Sequence, residues 1–152
     1  MILPIYLYGQ PVLRKEAEEV APDYPDLKKL VADMYETMHE SDGCGLAAPQ
    51  VGLSIRLVVI DADVLKDTYP ELEGVRLTLV NPELDVLEDG QKVTRSEGCL
   101  SLPGLGEPVS RYEKVRPKKC LRAFWLALFS MSVTIWRECS ILIIYHRFAS
   151  SL

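Results

Sequence analysis

The length, composition and charge of the chain bound its architecture before any motif is considered. It has 152 residues, of which 48% are hydrophobic, which suits one domain with a single core. The formal net charge of −5 argues against nucleic acid as a direct partner, since nucleic-acid-binding proteins usually present a basic face. The N-terminus lacks the features of a secretory signal, and the four cysteines show no C-x-x-C spacing. We therefore expect a cytoplasmic protein with reduced thiols.

Charge and composition change abruptly near residue 116. Residues 1–115 have a net charge of −10, from 11 basic and 21 acidic residues, whereas residues 116–152 have +5, from six basic residues and one acid. All nine glycines precede residue 107, and both tryptophans and all three phenylalanines follow residue 123. We interpret residues 1–115 and 116–152 as two segments of different origin, such as a frameshift or a wrong gene end would produce.

The hydrophobic pattern predicts one helix followed by short strands. Residues 8–13 are typical of a turn, and apolar residues at helical spacing predict a helix over residues 25–40, with Pro25 in its first turn and an end at residues 41–43. Segments rich in β-branched residues predict strands over 54–60, 75–80, 82–87, 92–96 and 109–115. A turn is expected at 88–90, and the Gly/Pro-rich stretch 98–108 is expected to be a loop. This order is an α+β pattern.

The C-terminal part is unusually apolar. Residues 123–136 form a nearly continuous apolar run of 14 residues, and residues 141–145 are apolar again. A bilayer span needs about 20 apolar residues, so a membrane-spanning helix is not expected. A buried helix, a misfolded sticky tail and a membrane-surface segment all remain open.

The first motif that could carry chemistry is the glycine-rich segment Gly43–Gly52, with the sequence GCGLAAPQVG. Two glycines spaced by one residue let a backbone approach a ligand closely. Gln50 offers a side-chain amide that can donate to a carbonyl oxygen. A simple turn between a helix and a strand explains the same residues, and on spacing alone it is the better interpretation because such turns are common.

The second motif is Glu97–Gly104, with the sequence EGCLSLPG. Cys99 lies between Gly and Pro residues, where a thiolate can bind a borderline-soft metal. A small buried hydrophobic residue is the commoner role of an isolated cysteine. Neither motif decides the function alone.

Together, the two motifs resemble those of the peptide deformylases. The likeness extends to residues 2–5 (ILPI), 9–14 (GQPVLR) and 34–38 (MYETM), and covers residues 1–115. It implies a fold of antiparallel strands around a helix. It also implies a hydrolase that removes the N-formyl group from formyl-methionyl nascent peptides near the ribosome. Such enzymes use a divalent metal, most often Fe²⁺, with Zn²⁺, Ni²⁺ or Co²⁺ as substitutes.

The resemblance also assigns roles to individual residues. Cys99 matches a metal ligand of the family. Gln50 matches the side chain that donates a hydrogen bond to the formyl oxygen and its developing oxyanion, together with the backbone N–H of Leu100. Gly45 matches the residue that pairs its backbone with the peptide substrate. Cys44 stands where the family usually has an aliphatic residue, and we expect it to be a small buried side chain.

The family's third motif, His-Glu-x-x-His on a helix, does not occur in these 152 residues. In the family its histidines bind the metal and its Glu moves protons. The only histidines here are His39, expected to be solvated or to cap its helix, and His146, which has no partner four residues away. We therefore expect that an unrelated apolar tail stands in place of the family's central C-terminal helix. We expect weak or absent metal binding and an inactive chain.

Two other classes of function remain open. The chain could be a non-catalytic remnant that still binds a peptide or a protein partner, or a membrane-associated protein that uses its apolar tail. Metal and deformylation assays distinguish the enzyme from the remnant, and cell fractionation tests membrane association.

Overall fold

The structure of the protein is a computed structural model, and it describes residues 1–86, 92–112 and 115–122. The predicted turn at 88–90, the apolar runs at 123–136 and 141–145, and His146 lie outside these residues. The described residues form one α-helix, α1 (Leu27–Glu40), and two sheets. The strands are β1 (Gly45–Ala47), β2 (Leu57–Asp61), β3 (Arg76–Val86), β4 (Lys92–Cys99), β5 (Leu102–Tyr112) and β6 (Val115–Arg122).

Helix α1 confirms the predicted helix, apart from its first two residues. Asp26 takes a left-handed conformation (φ 51°) immediately before Leu27, so Pro25 lies ahead of the helix and its predicted place in the first turn is wrong. The helical spacing of the apolar residues puts one face of α1 toward the interior. Two methionines of that face are fully buried, Met34 and Met38.

The main sheet has the strand order β1-β2-β3-β6, and every pair in it is antiparallel. Strand β2 lies between β1 and β3, and its apolar residues Leu57, Val59 and Ile60 are fully buried. The core joins α1 to this sheet, because Met34 and Met38 belong to the same buried cluster as Leu57 and Val59. Within the described ranges, no helix is long and apolar enough to cross a membrane.

The two strands predicted over 75–80 and 82–87 are one strand, β3. Asn81 takes a positive φ of 50°, and the register of β3 against β6 shifts between Val80 and Glu83. The chain therefore passes Pro82 through a local irregularity instead of a turn, which is how strands accommodate proline. The Asn81 side chain also accepts a hydrogen bond from the N–H of Val20 (2.8 Å) and donates one to its carbonyl (3.0 Å).

The predicted loop over 98–108 is wrong, because most of it belongs to the ribbon formed by β4 and β5. These strands pair from Lys92 with Tyr112 to Cys99 with Leu102. The glycines and prolines of this stretch favour loops locally, but a two-stranded ribbon has two open edges that tolerate them.

Strand β6 carries the main sheet past the predicted boundary at residue 115. It pairs with β3 as far as Arg122. The change in composition therefore falls within a paired strand.

Gly52 needs both its backbone conformation and its missing side chain. Its φ is 87°, and a Cβ there would lie 2.7 Å from Cε2 and 2.8 Å from Cζ of Tyr6. We expect Gly52→Ala to destabilise the fold by about 1–3 kcal/mol from the left-handed conformation, with displacement of Tyr6 adding to the loss. Urea unfolding measures the difference.

Gly74→Ala is the matched control for this substitution. Gly74 also has a positive φ (71°), but nothing lies within 4 Å of the Cβ it would gain. It therefore reports the conformational cost alone. Equal losses in the two variants would contradict a contribution from the Tyr6 contact.

Candidate active site

The glycine-rich segment Gly43–Gly52 joins α1 to the sheet and places Gln50 in the interior. After β1 the chain makes one 3₁₀ turn, Ala48–Val51, with Pro49 in its first half and Gly52 closing it in a left-handed conformation. The pre-set φ of proline and the permissive backbone of glycine suit these two positions. The turn directs the Gln50 side chain inward, where the residue is only 6% exposed.

The Gln50 amide links the two motifs. Its Oε1 accepts a hydrogen bond from the N–H of Ala47 at 3.0 Å. Its Nε2 lies 3.3 Å from Oγ of Ser101 and 3.7 Å from Sγ of Cys99. Because a backbone N–H can only donate, the Ala47 contact identifies the oxygen end of the amide. The donor end therefore points at the second motif.

Cys99 is the last residue of β4, at the tip of the ribbon. Its thiol is free and half-buried. The register of β4 against β5 shifts between Gly98 and Cys99, so Cys99 pairs with Leu102, and Leu100 and Ser101 form the turn. Such irregularities re-aim side chains next to functional sites.

Leu100 and Gly45 are the two other residues to which the resemblance assigns a role. The Leu100 side chain packs against the core, and its Cδ1 would lie 2.8 Å from a Cβ at Gly43. Because Gly43 has no side chain, the Leu100 side chain has room to pack there. This packing also positions the backbone N–H of Leu100, the residue after Cys99. Gly45 is buried and begins β1, which lies at the edge of the main sheet and pairs there with β2.

The described residues do not provide a complete metal site. Within this part of the chain, no three His, Cys, Asp or Glu side chains are grouped so that they could hold a metal ion. Cys99 offers one thiolate, whereas catalytic zinc-type sites use three protein ligands.

The sequence model of the polypeptide deformylase family matches residues 2–122. The chain belongs to this family. Two peptide deformylases among its relatives come from flavobacteria. The one from Flavobacterium johnsoniae is 46% identical over 131 residues, covering 82% of this chain and 66% of the relative, and the one from Flavobacterium psychrophilum is 48% identical over 118 residues, covering 73% and 60%. The chain thus spans about two thirds or less of these relatives' length.

Solved deformylases share the fold. The peptide deformylase from Thermotoga maritima has a TM-score of 0.64 and 35% identity, and the actinonin-bound class I type b enzyme from Acinetobacter baumannii has 0.62 and 31%. Each match covers 77% of this chain and 74% of the solved one. The predicted family is confirmed, as is a fold of antiparallel sheets with a helix. Replacement of the central helix by the tail stays a prediction.

The glutamate of the second motif, Glu97, forms an ion pair with Arg111 that the sequence did not predict. The Arg111 Nε lies 2.8 and 3.0 Å from the two carboxylate oxygens, and one terminal nitrogen lies 2.6 Å from Oε2. Both side chains are only 9% exposed. This bidentate ion pair connects β4 to β5 close to Cys99 in the chain. The motif's glutamate was the available signal, since a buried carboxylate requires a partner.

His39 is exposed in the last turn of its helix, in line with the prediction of a solvated side chain, and it also makes a contact that the sequence did not predict. Its Nε2 lies 2.8 Å from Oδ2 of Asp61, a fully buried carboxylate at the end of β2 that also pairs with Nε of Arg76 at 2.7 Å. The N–H of Asp61 donates to the carbonyl of Cys44. These contacts attach the end of α1 and the start of the glycine-rich segment to the sheet.

Cys44 differs a little from its prediction as a buried side chain. It is half-buried, and burial raises the pKa of its thiol. The thiol is therefore a poor nucleophile near neutral pH.

Proposed function

We propose that Gly45, Gln50, Cys99 and Leu100 form the part of a deformylase active site that contains its cysteine and glutamine. The reaction is hydrolysis of the N-formyl group of formyl-methionyl nascent peptides. The observation that carries the proposal is the approach of Gln50 Nε2 to Ser101 Oγ (3.3 Å) and Cys99 Sγ (3.7 Å). It joins two family motifs that lie about 50 residues apart in the chain.

Gln50 and Leu100 have the role of hydrogen-bond donors to the formyl oxygen. Attack on the formyl carbon moves negative charge onto that oxygen. Donors already in place stabilise this charge most strongly where water is excluded. The Gln50 amide is buried and held at its oxygen end by Ala47, so its donor end is directed before the substrate arrives.

Gly45 has the role of receiving the peptide backbone. Among the strands that the structure describes, β1 is at the edge of the main sheet, and an extended peptide can add to such an edge as a further strand. The absence of a side chain at Gly45 lets a second backbone approach closely.

Cys99 has the role of one ligand to a divalent metal, with Fe²⁺ proposed first and Zn²⁺, Ni²⁺ or Co²⁺ as alternatives. When bound, such a metal polarises a carbonyl and lowers the pKa of bound water. The described residues contribute a single thiolate to this site and do not complete it. Their own contribution is the pair of hydrogen-bond donors and the edge strand.

A polypeptide of these 152 residues is expected to show no measurable deformylation. It has no His-Glu-x-x-His sequence, so it lacks the paired histidine ligands and the glutamate that moves protons. The test is protein loaded anaerobically with ferrous iron and given a formyl-methionyl tripeptide, with release of formate as the readout. A family member that carries the motif is the positive control. Turnover at about 1–1,000 per second would contradict the expectation.

The separate origin of the C-terminal segment is also a proposal. We propose that the deformylase-like part extends to residue 122 instead of ending at residue 115, and this proposal is supported by the family match and by β6, which both run to residue 122. The nucleotide sequence after codon 122 tests the idea. A His-Glu-x-x-His sequence in another frame would support a frameshift, and its absence from all three frames would count against one.

A further inference from the structure

We infer that the Ser101 hydroxyl is the group that positions the Gln50 amide, and that residues 6–8 hold Ser101 and Gln50 together. The inference rests on the proposed function only in giving Gln50 its role as an oxyanion donor. Ser101 acts through Gln50 and needs no contact with the substrate.

The Gln50 amide is fixed at both ends. Ala47 donates to its oxygen at 3.0 Å, and Ser101 Oγ lies 3.3 Å from its nitrogen. Both side chains are buried, Ser101 being 2% exposed. Nε2 carries two hydrogens, and the hydroxyl oxygen accepts one of them. The other is thereby directed toward Sγ of Cys99, at 3.7 Å.

Backbone hydrogen bonds of the N-terminal segment connect Gln50 and Ser101 a second time. The N–H of Tyr6 donates to the carbonyl of Gln50 at 2.8 Å, and the N–H of Tyr8 donates to the carbonyl of Ser101 at 2.9 Å. The two residues that meet through their side chains are therefore also joined through residues 6–8. The aromatic side chain of Tyr6 packs against Gly52, so residues 6–8 also contact the turn that carries Gln50.

These hydrogen bonds orient the Gln50 amide, and that orientation has a chemical consequence. A donor that is oriented before substrate binds avoids reorganisation while charge develops on the formyl oxygen. Without the Ser101 hydroxyl, one hydrogen of Gln50 Nε2 would lose its acceptor in a buried place. The amide would then turn away from Cys99 to find another, because unpaired buried donors are costly.

Nuclear magnetic resonance of the ¹⁵N-labelled 152-residue chain tests the inference. The sequence has three glutamines and one asparagine, so only four side-chain amide pairs need assignment. We expect the Gln50 amide to exchange with solvent more slowly than that of the exposed Gln10. Ser101→Ala should speed Gln50 exchange about threefold to tenfold, the factor of one ordinary hydrogen bond.

Two variants separate the hydroxyl from general effects on the ribbon. Ser101→Thr keeps a hydroxyl and should restore slow exchange at Gln50. Ser110→Ala removes the hydroxyl of an exposed serine of β5 and should leave Gln50 unchanged.

The inference is overturned if Gln50 exchanges as fast as Gln10 in the unmutated chain, or if Ser101→Ala leaves its exchange and chemical shifts unchanged. Should Ser101→Ala unfold the protein, the Thr variant decides: retained protection supports the inference, and lost protection in a folded Thr variant overturns it. No readout depends on turnover, so this test and the test of the proposed function can fail independently.

Discussion

Replacement of Gln50 by alanine should lower kcat about a hundredfold to a thousandfold in a completed chain, the usual effect of removing one oxyanion donor. By completed chain we mean residues 1–122 joined to the C-terminal part of a family member that carries His-Glu-x-x-His. Because the amide strengthens its hydrogen bond as charge develops, the loss should fall on kcat and leave KM nearly unchanged. Steady-state kinetics with a formyl-methionyl peptide measures both constants.

Gln10→Ala is the matched control, since it removes the same side chain from an exposed position. It should leave both constants unchanged. A rise in KM with kcat intact in Gln50→Ala would show that Gln50 only holds the substrate.

Arg111→Ala should destabilise the fold by up to about 3–5 kcal/mol, because it leaves a largely buried carboxylate without its partner. Glu97 accepts three close contacts from Arg111, between 2.6 and 3.0 Å, and both side chains are 9% exposed. Urea unfolding followed by circular dichroism gives the change in the free energy of unfolding.

Two comparisons make this test specific. Glu18→Ala removes a surface ion pair with Lys15, whose side chains are 71% and 60% exposed, and should cost no more than about 1 kcal/mol. The double variant Glu97→Ala/Arg111→Ala should lose less than the sum of the single losses, because no charge remains unpaired. A loss from Arg111→Ala as small as that from Glu18→Ala would contradict the role of this pair.

Local sequence patterns predicted the helix well and the ribbon poorly. Helix α1 is encoded by apolar residues at helical spacing, which is information held within one segment. Its start was misplaced because the left-handed conformation of Asp26 delays it. In the ribbon, residues 103–108 favour a loop, and only pairing with β4 makes them a strand. That pairing is a tertiary effect that local propensity does not contain.

The same distinction applies to the site. Cys99 and Gln50 were selected from two motifs by resemblance, and the structure brings them together. The partners that hold the site were not predicted: Arg111 for Glu97 and Ser101 for Gln50. These contacts join residues 14 and 51 positions apart, and residue types alone do not identify such pairs.

The most direct test of the deformylase assignment is the activity of the completed chain with and without Cys99. Loaded anaerobically with ferrous iron, the completed chain should release formate from a formyl-methionyl tripeptide at a rate typical of enzymes, about 1–1,000 per second. Cys99→Ala should lose both its bound metal and this activity while remaining folded, because an alkyl group cannot replace a thiolate ligand. A folded, metal-loaded completed chain without deformylation, or a Cys99→Ala variant with full metal occupancy and unchanged turnover, would contradict the assignment.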